Sequence, residues 1–233
     1  MKNLKLEPLL RPTQHVEKIL VTAILDGTYS RGRALPNERS LAEQMGVTRP
    51  TLRETLQRLA GEGWITINHG KPTVVNDYWQ EGGLRLLGTL SKYSDYLPND
   101  FIIHLLDVRL TMLPSIAGRA ARFQPEILLN CLAEARYLAE DAKAFSDFDW
   151  KLQMLMAGNS QNPVFSLILN DFTQIFASMA RHYLDLNTAR QASRTFYREL
   201  SRAIEKRADT VEDIVKKAMG QSISIWEEVK IMR

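Results

Sequence analysis

Two arginines spaced four residues apart are the side chains in this sequence that are best placed to do chemistry. Arg49 and Arg53 would lie on one face of a helix, and Thr48 and Thr51 stand beside them with short hydroxyl groups. A guanidinium fork matches the O6/N7 edge of guanine or two oxygens of a phosphate. Hydroxyls near a helix N-terminus suit phosphate oxygens. The pattern therefore predicts contacts to the bases and phosphates of a DNA duplex.

The segments that must position these side chains predict a helix-turn-helix. Apolar residues at helical spacing predict helices over 12–26, 38–45 and 49–62, the last of which carries the two arginines. Asn37 and Thr48 are candidate N-caps for the second and third of these helices. Polar turns and glycines between the helices mark where each one ends.

A short hairpin is predicted directly after the third helix. Residues 64–67 and 73–75 alternate like strands around the turn 68–72, which is rich in residues that break regular structure. His69 and Gly70 form the tip of this turn. Glycine lets the backbone approach a groove closely, and an imidazole can donate into a narrow minor groove. Helix-turn-helix followed by a hairpin predicts the winged form of the motif.

Each of these side chains also has an ordinary explanation. A single arginine on an amphipathic helix, or a histidine in a loop, is more often simply a solvated surface residue. Arg39, on the preceding predicted helix, is placed to reach the groove or the flanking backbone. The arginines, the hydroxyls and a hairpin at the right distance together favour DNA binding.

Composition favours a cytoplasmic protein with a basic N-terminal third. The formal net charge of +3 equals the excess of basic over acidic residues within 31–71, so the rest of the chain is balanced. No uninterrupted apolar run approaches the length of a membrane span, and no secretory signal is evident. The single cysteine, Cys131, cannot form an internal disulfide and lies among apolar residues, which favours a buried thiol.

Helical periodicity dominates from Trp79 onward, which predicts an all-α bundle of six or seven helices behind a connecting helix. The predicted fold class is mainly α, with an N-terminal winged helix-turn-helix and a C-terminal all-α helical bundle. The predicted domains are a DNA-binding domain over 1–78, a linker helix over 79–97 and an effector-binding, dimer-associated domain over 98–233. Helices are predicted near residues 79–93, 100–123, 125–143, 145–157, 163–185, 188–207 and 209–231.

The N-terminal motifs resemble those of a known family. Leu-Pro-Asn-Glu-Arg-Ser-Leu-Ala-Glu, Val-Thr-Arg-Pro-Thr-Leu-Arg-Glu-Thr-Leu-Gln-Arg-Leu, Gly-Trp-Ile-Thr-Ile and His-Gly-Lys-Pro-Thr, within 35–79, resemble the GntR family of bacterial repressors. The stretch 46–79 is similar more narrowly to the branch that regulates fatty acid metabolism. Pro50 departs from the resemblance, because the family tends to have a hydroxyl residue there. The resemblance implies DNA contacts by Arg39, Thr48, Arg49, Thr51, Arg53, His69 and Gly70.

The resemblance also implies an effector domain, which in many relatives binds a metal through an aspartate, a histidine one helical turn later and two more histidines. Asp149 would be that aspartate, but Gln153 stands one turn later and is a poor ligand. Two of the four histidines lie in the N-terminal part. We therefore expect no metal and no cofactor, and we expect Asp149 to be a solvated or helix-capping carboxylate.

Within the branch it resembles, the effector is a long-chain fatty acyl-CoA. The resemblance implies that Arg109 meets the phosphate or thioester end of this ligand and that Tyr183 offers a phenol tip. Gln153 and Phe176 stand where aromatic residues are usual, and Met219 stands where glycine is usual. The sequence is equally compatible with each of these residues lying in the core of the bundle. The implied effector-binding residues are Leu105, Arg109, Tyr183, Ser222 and Trp226.

The resemblance implies that the protein is a homodimeric regulator, which leaves its operator when acyl-CoA binds. It implies no contact with a membrane. A regulator that answers a small organic acid is the nearest alternative. A helical lipid-binding or catalytic protein is a more distant one. No Ser/His/Asp or Cys/His set, phosphate-binding glycine loop or paired-carboxylate signature emerges from the sequence, so we expect no enzyme activity.

Overall fold

Local sequence signals fix the three N-terminal helices. Pro12 begins α1 (Pro12–Leu25). The Asn37 side chain accepts a hydrogen bond of 2.9 Å from the Ser40 amide and so caps α2 (Glu38–Gln44). Thr48 accepts from the Thr51 amide at 3.4 Å and caps α3 (Arg49–Glu62). The predicted helices and both predicted caps are confirmed.

The structure, a computed structural model, describes residues 10–68, 70–98 and 100–231.

A two-stranded antiparallel sheet follows α3. Strand β1 (Ile65–Thr66) pairs with β2 (Val74–Val75), with Ile65 opposite Val75. Both strands are shorter than the predicted 64–67 and 73–75. Trp64 immediately before β1 is fully buried, and its ring lies 4.9 Å from that of Tyr78. The hairpin is thereby fastened to the helices, as in a winged helix-turn-helix.

The predicted linker helix over 79–97 is wrong. The chain instead forms two short helices, α4 (Tyr78–Glu81) and α5 (Leu86–Leu90), and then a 3₁₀ segment over Ser91–Tyr96. Gly82 has extended backbone angles, and a Cβ at this position would overlap the Leu86 side chain and the Tyr78 carbonyl oxygen. A glycine pair interrupts the helix here, although the apolar periodicity on both sides continues.

The described residues from Leu97 onward form a second compact unit, distinct from the one that ends at Tyr96. Its core lies among the inward faces of the helices and includes Ile116, Leu128, Phe145 and Leu200, and Cys131 is buried in it as predicted. The described part of this unit has six α-helices: α6 (Phe101–Phe123), α7 (Pro125–Glu134), α8 (Ala142–Gly158), α9 (Pro163–Leu184), α10 (Asn187–Glu205) and α11 (Val211–Ile231).

The predicted helix over 125–143 is too long. Helix α7 ends at Glu134 and a 3₁₀ turn, Ala135–Tyr137, follows it. Arg194 of α10 donates to the carbonyl oxygens of Ala135 at 3.3 Å and Leu138 at 3.2 Å. These bonds satisfy carbonyls that a longer helix would have used internally, so a contact distant in sequence decides where α7 ends.

Helix α6 changes character along its length. Pro114 lies inside it and has no N–H to offer the Leu110 carbonyl one turn earlier. Leu113, Ile116 and Ala120, from the proline region onward, are buried in the core, whereas residues 102–112 are half-buried or exposed.

By length and composition, α6 is also apolar enough to cross a membrane, with a mean hydropathy of 1.4 over 18 residues. No membrane span was predicted from the sequence, because no uninterrupted apolar run approaches 18 residues. Of that stretch 22% is buried, and a single helix of this kind is weak evidence for a membrane span.

Candidate functional site

The start of α3 presents an exposed face with a free guanidinium. Arg49 is the first helical residue, it is exposed, and it makes no ion pair with any described residue. The Thr48 and Thr51 hydroxyls lie 2.9 Å apart beside it. Pro50 occupies the first turn, where a missing N–H has no intrahelical partner to lose. This face offers a fork-shaped donor, two hydroxyls and the positive end of a helix dipole to an anion.

The other two predicted arginines have partners within the same unit. Arg53 Nε lies 2.6 Å from Glu38 Oε2, and Arg39 Nε lies 3.1 Å from Glu43 Oε1. Both pairs are exposed to solvent, and such pairs stabilise a fold by only about 0–1 kcal/mol. Breaking these two ion pairs would therefore cost the fold little, which leaves both guanidinium groups available to other anions.

The hairpin adds backbone and charge next to this face. Gly70 has a φ of +70°, and a side chain there would meet nothing within 4 Å, so the turn is open around it. A concavity of about 570 Å³ runs between the hairpin and α2, and its lining includes Arg53, Gly70 and Lys71. Lys71 is a basic candidate that the sequence analysis did not single out. His69, predicted to act at the same tip, lies outside the described residues.

A buried carboxylate joins the helices that hold this surface. Glu17 of α1 is 4% exposed; it pairs with Arg58 of α3, and its Oε1 lies 2.9 Å from the Lys92 ammonium in the 3₁₀ segment. Burial and the Glu17 carboxylate raise the pKa of the Tyr93 phenol. The sequence analysis missed this cluster, whose signal is an acidic residue within the apolar stripe of α1.

A second carboxylate anchors the end of α3. Glu62 Oε2 accepts from the Trp64 indole at 3.1 Å and from the Thr89 hydroxyl of α5 at 2.7 Å. Helix α3 is thus tied near its end both to the start of the hairpin and to the segment that follows it.

The second unit contains an apolar cavity of about 70 Å³ between α6, α8, α9 and α11. Aliphatic and aromatic side chains such as Leu106, Leu169 and Ile175 make up most of its wall. The structure brings together here all the residues that the resemblance assigned to effector binding, namely Leu105, Arg109, Tyr183, Ser222 and Trp226. Their contact with a ligand stays a prediction.

A polar cluster lies in the wall of this cavity. Arg109 Nη2 is 3.8 Å from Asp149 Oδ2, and the guanidinium lies over the Phe176 ring, 5.4 Å from its centre. The Tyr197 hydroxyl donates to Asp149 Oδ1 at 2.8 Å. Burial raises the pKa of Asp149, although Arg109 and the Tyr197 hydrogen bond favour its charged form. The expectation that Asp149 is solvated or capping is therefore wrong.

Two polar atoms in this wall lack a partner. Arg109 Nε and Gln153 Oε1 are buried and make no hydrogen bond with any residue in the described part of the chain. Gln153 is 3% exposed and lies one turn after Asp149 on α8, facing the same cavity. Met219 lies on a smaller adjoining cavity, which it shares with Arg109, Asp149 and Ser222. Among the residues described, no group of three or more His, Cys, Asp or Glu side chains converges as a metal site would require.

The two units correspond to two known sequence families. Residues 12–75 match the family "Bacterial regulatory proteins, gntR family", and residues 76–232 match the "FadR C-terminal domain". The chain belongs to the GntR family. This GntR chain is a DNA-binding transcription regulator, and the families it matches are not families of enzymes. The boundary between the two families differs from the boundary between the two units. Residues 76–96 belong to the FadR domain by sequence, but by their contacts they belong to the winged unit.

Curated relatives of this GntR regulator match its sequence along almost the whole chain. It is 37% identical over 220 residues to the "Fatty acid metabolism regulator protein" of Salmonella paratyphi C, covering 94% of this chain and 92% of the relative. The protein of the same name from Salmonella newport matches with the same identity and coverage. A solved structure of Listeria monocytogenes Lar, which "controls the expression of the Listeria monocytogenes agr system", has a TM-score of 0.63 at 16% identity. It covers 94% of this chain and 98% of its own, and it shows the fold alone.

Proposed function

We propose that this GntR regulator controls genes of fatty acid metabolism and that a long-chain fatty acyl-CoA releases it from its operator. The apolar cavity of the second unit is the observation that carries this proposal. The name of the Salmonella relatives, "Fatty acid metabolism regulator protein", supports it. So does the position of Leu105, Tyr183 and Trp226, which line one cavity although they come from three helices.

The wall of the cavity has the polarity that a fatty acyl thioester requires. Burying each methylene of a chain contributes about 0.8 kcal/mol, so a long chain offers on the order of 10 kcal/mol before the costs of binding. Arg109, Tyr183 and Ser222 add donors at one part of the wall, suited to a carbonyl or phosphate oxygen.

The size of the cavity supports a switch. A volume of about 70 Å³ has room for roughly five water molecules, so a long acyl chain must push the lining side chains and helices apart. A ligand shifts an equilibrium only through contacts that differ between two states. About 1–3 kcal/mol of such coupling would change operator affinity roughly 5- to 150-fold.

The DNA-binding half of the proposal involves a homodimer. Arg39, Thr48, Arg49, Thr51, Arg53, His69 and Gly70 are its proposed contacts. A winged helix-turn-helix places its recognition helix, here α3, in the major groove, and two copies of the chain bind two half-sites of an operator. Arg49, which has no ion pair with any residue that the structure describes, is the proposed reader of a base.

A small organic acid is the alternative effector, and one observation favours it. Arg109 Nε lacks a partner and would donate to a carboxylate. The same guanidinium already faces the Asp149 carboxylate, however, and the remaining wall is largely apolar. The acyl ligand therefore fits better.

Release of DNA by acyl-CoA tests the proposal. Duplexes that the full chain enriches from a random pool would be labelled, and their anisotropy followed as palmitoyl-CoA is added. We expect release by palmitoyl-CoA and none by CoA or short-chain acyl-CoA. Leu105→Glu, which places a charge in the cavity wall, should bind the duplex but resist release. Leu167→Glu, at a position 64% exposed on α9, is the matched control. Release only by small organic acids would sustain the alternative.

A further inference from the structure

Gln153 is an unusual residue for the wall of a cavity that binds a plain hydrocarbon chain. Its side chain is almost completely buried, and its amide oxygen has no hydrogen-bond partner. Most of the neighbouring wall is aliphatic or aromatic, including Trp150, Phe172 and Ile175. Burying an unpaired amide is unfavourable, and an unsubstituted acyl chain beside it would leave the amide unpaired.

We propose that the cavity prefers a long-chain acyl thioester that carries a hydroxyl near its carbonyl end, and that Gln153 binds this hydroxyl. This inference rests on the proposed function and names the class of acyl group involved. Gln153 becomes a specificity-determining residue, because a site built to hydrogen-bond a ligand group discriminates strongly against an analogue that lacks it.

Position explains why the hydroxyl belongs near the carbonyl. Gln153 and Asp149 are one turn apart on α8, which separates their backbones by about 6 Å along the helix axis. Asp149 pairs with Arg109, the guanidinium suited to the thioester oxygen. Arg109 and Asp149 also border the smaller adjoining cavity, whose wall contains Ser193 and Gln221, whereas Gln153 faces only the apolar one. A chain that starts at Arg109 and enters the apolar cavity passes Gln153 early.

Charge and hydrogen-bonding capacity select a hydroxyl over other groups. An ammonium would be repelled by the Arg109 guanidinium, and the Asp149 carboxylate in the same wall is already paired with that guanidinium. A carboxylate cannot donate to the amide oxygen. A hydroxyl is neutral and both donates and accepts, so it satisfies the Gln153 amide whichever way the amide is turned.

Calorimetric titration of the full chain with three palmitoyl thioesters tests this inference without any DNA. We expect β-hydroxypalmitoyl-CoA to bind about ten- to a hundredfold more tightly than palmitoyl-CoA. In ω-hydroxypalmitoyl-CoA the same hydroxyl lies far from Gln153, so this ester should bind no better than palmitoyl-CoA.

Gln153→Leu should reverse the preference, by weakening the β-hydroxy ester and strengthening the plain one. Gln174→Leu, at an exposed position on α9, is the matched control and should keep the wild-type order. Equal affinity of the wild type for the three esters would overturn the inference and leave the proposed function standing. An equal effect of Gln153→Leu on all three, as expected if a water or an amide of CoA is the partner, would overturn it in the same way. Failure of every ester to bind would overturn both.

Discussion

Arg49 and Arg53 lie one turn apart on one helix, and among the residues that the structure describes only Arg53 has an ion-pair partner. Arg53 must share or leave Glu38 before it binds a phosphate or a base, whereas Arg49 is unpaired within the described residues. The fork of Arg49 can form two parallel hydrogen bonds with a guanine edge. The two arginines should therefore differ in how much of the sequence specificity they supply.

Arg49→Ala is expected to weaken binding to the preferred duplex by about 1–3 kcal/mol and to relax the preference at one base pair. Fluorescence anisotropy with the preferred duplex and its single-base variants, at fixed salt, measures both effects. Arg198→Ala, at an exposed position on α10, serves as the control and should change neither. Unaltered affinity and preference in Arg49→Ala would exclude this residue as a base reader.

Removing the cationic member of the largely buried Arg109–Asp149 ion pair should destabilise the fold. Arg109→Met leaves the Asp149 carboxylate buried without a countercharge, and we expect the free energy of unfolding at neutral pH to fall by about 3–5 kcal/mol. Asp149→Asn added to that variant should recover much of the loss, because it removes the uncompensated charge. Urea unfolding followed by circular dichroism measures all three proteins.

The pH dependence of this loss has a definite sign. Burial raises the pKa of Asp149 above its ordinary value of 3.8, so the folded chain holds this proton more tightly than the unfolded chain does. The stability that Asp149 contributes is thus complete below about 3.8 and is lost as the pH rises through its folded pKa. The cost of Arg109→Met should be smaller in mild acid than at neutral pH. If Arg109→Met lowered the free energy of unfolding equally in mild acid and at neutral pH, and Asp149→Asn recovered none of the loss, this explanation would be contradicted.

At the scale of elements, two glycines with similar backbone angles have different surroundings. Gly63 ends α3 with a φ of +96°, and a Cβ there would come within 2.8 Å of the Gly82 Cα. Gly46, after α2, has a φ of +64° and nothing within 4 Å. The first glycine is required by both conformation and space, and the second by conformation alone.

Gly46→Ala is expected to lower the free energy of unfolding by about 1–2 kcal/mol, the cost of a left-handed conformation for a residue with a Cβ. Gly63→Ala should cost clearly more, because the backbone around Gly82 must also move. Thermal and urea unfolding of the two variants gives the comparison. If both variants lost the same free energy of unfolding, the backbone around Gly82 would be able to move away from a Cβ at position 63 at no cost.

Elements marked by local signals could be predicted from the sequence, and elements decided by distant contacts could not. Pro12, Asn37 and Thr48 mark helix starts through interactions within a few residues. The end of α7 depends on Arg194, more than fifty residues later. The break at Gly82 interrupts a stretch whose apolar periodicity continues on both sides, so periodicity alone predicted one helix.

The candidate site divides in the same way. The resemblance identified five residues that do line one cavity, but it gave no indication that Asp149 would be buried. The Tyr197 hydroxyl that binds Asp149 is 48 residues away in sequence, and no spacing rule connects the two. The cluster around Glu17 likewise forms only on folding, when Arg58 and Lys92 come into contact with its carboxylate.

At the scale of the whole molecule, the excess positive charge lies in the winged unit, whereas the apolar cavity lies in the second unit.

Dimer formation on DNA predicts a dependence on the number of half-sites. A duplex with two half-sites about 10 base pairs apart should bind at least about 100-fold more tightly than a duplex with a single half-site, because the second contact becomes intramolecular. Anisotropy at constant salt measures the ratio. A duplex with the half-sites half a turn out of phase is the control and should bind like a single site. Equal affinity for all three would argue against a dimer on DNA.

Pro114 divides α6 of the second unit into a stiff part and a part that bends more easily. The missing hydrogen bond to Leu110 makes the turn just after Arg109 the place where α6 bends at least energetic cost. The residues beyond the proline are clamped in the core, whereas Ile102, Leu105 and Leu106 before it form the cavity wall. Under the proposed function, an occupant that widens the cavity would push the first half of α6 outward about this point, while the tightly packed second half would keep its register.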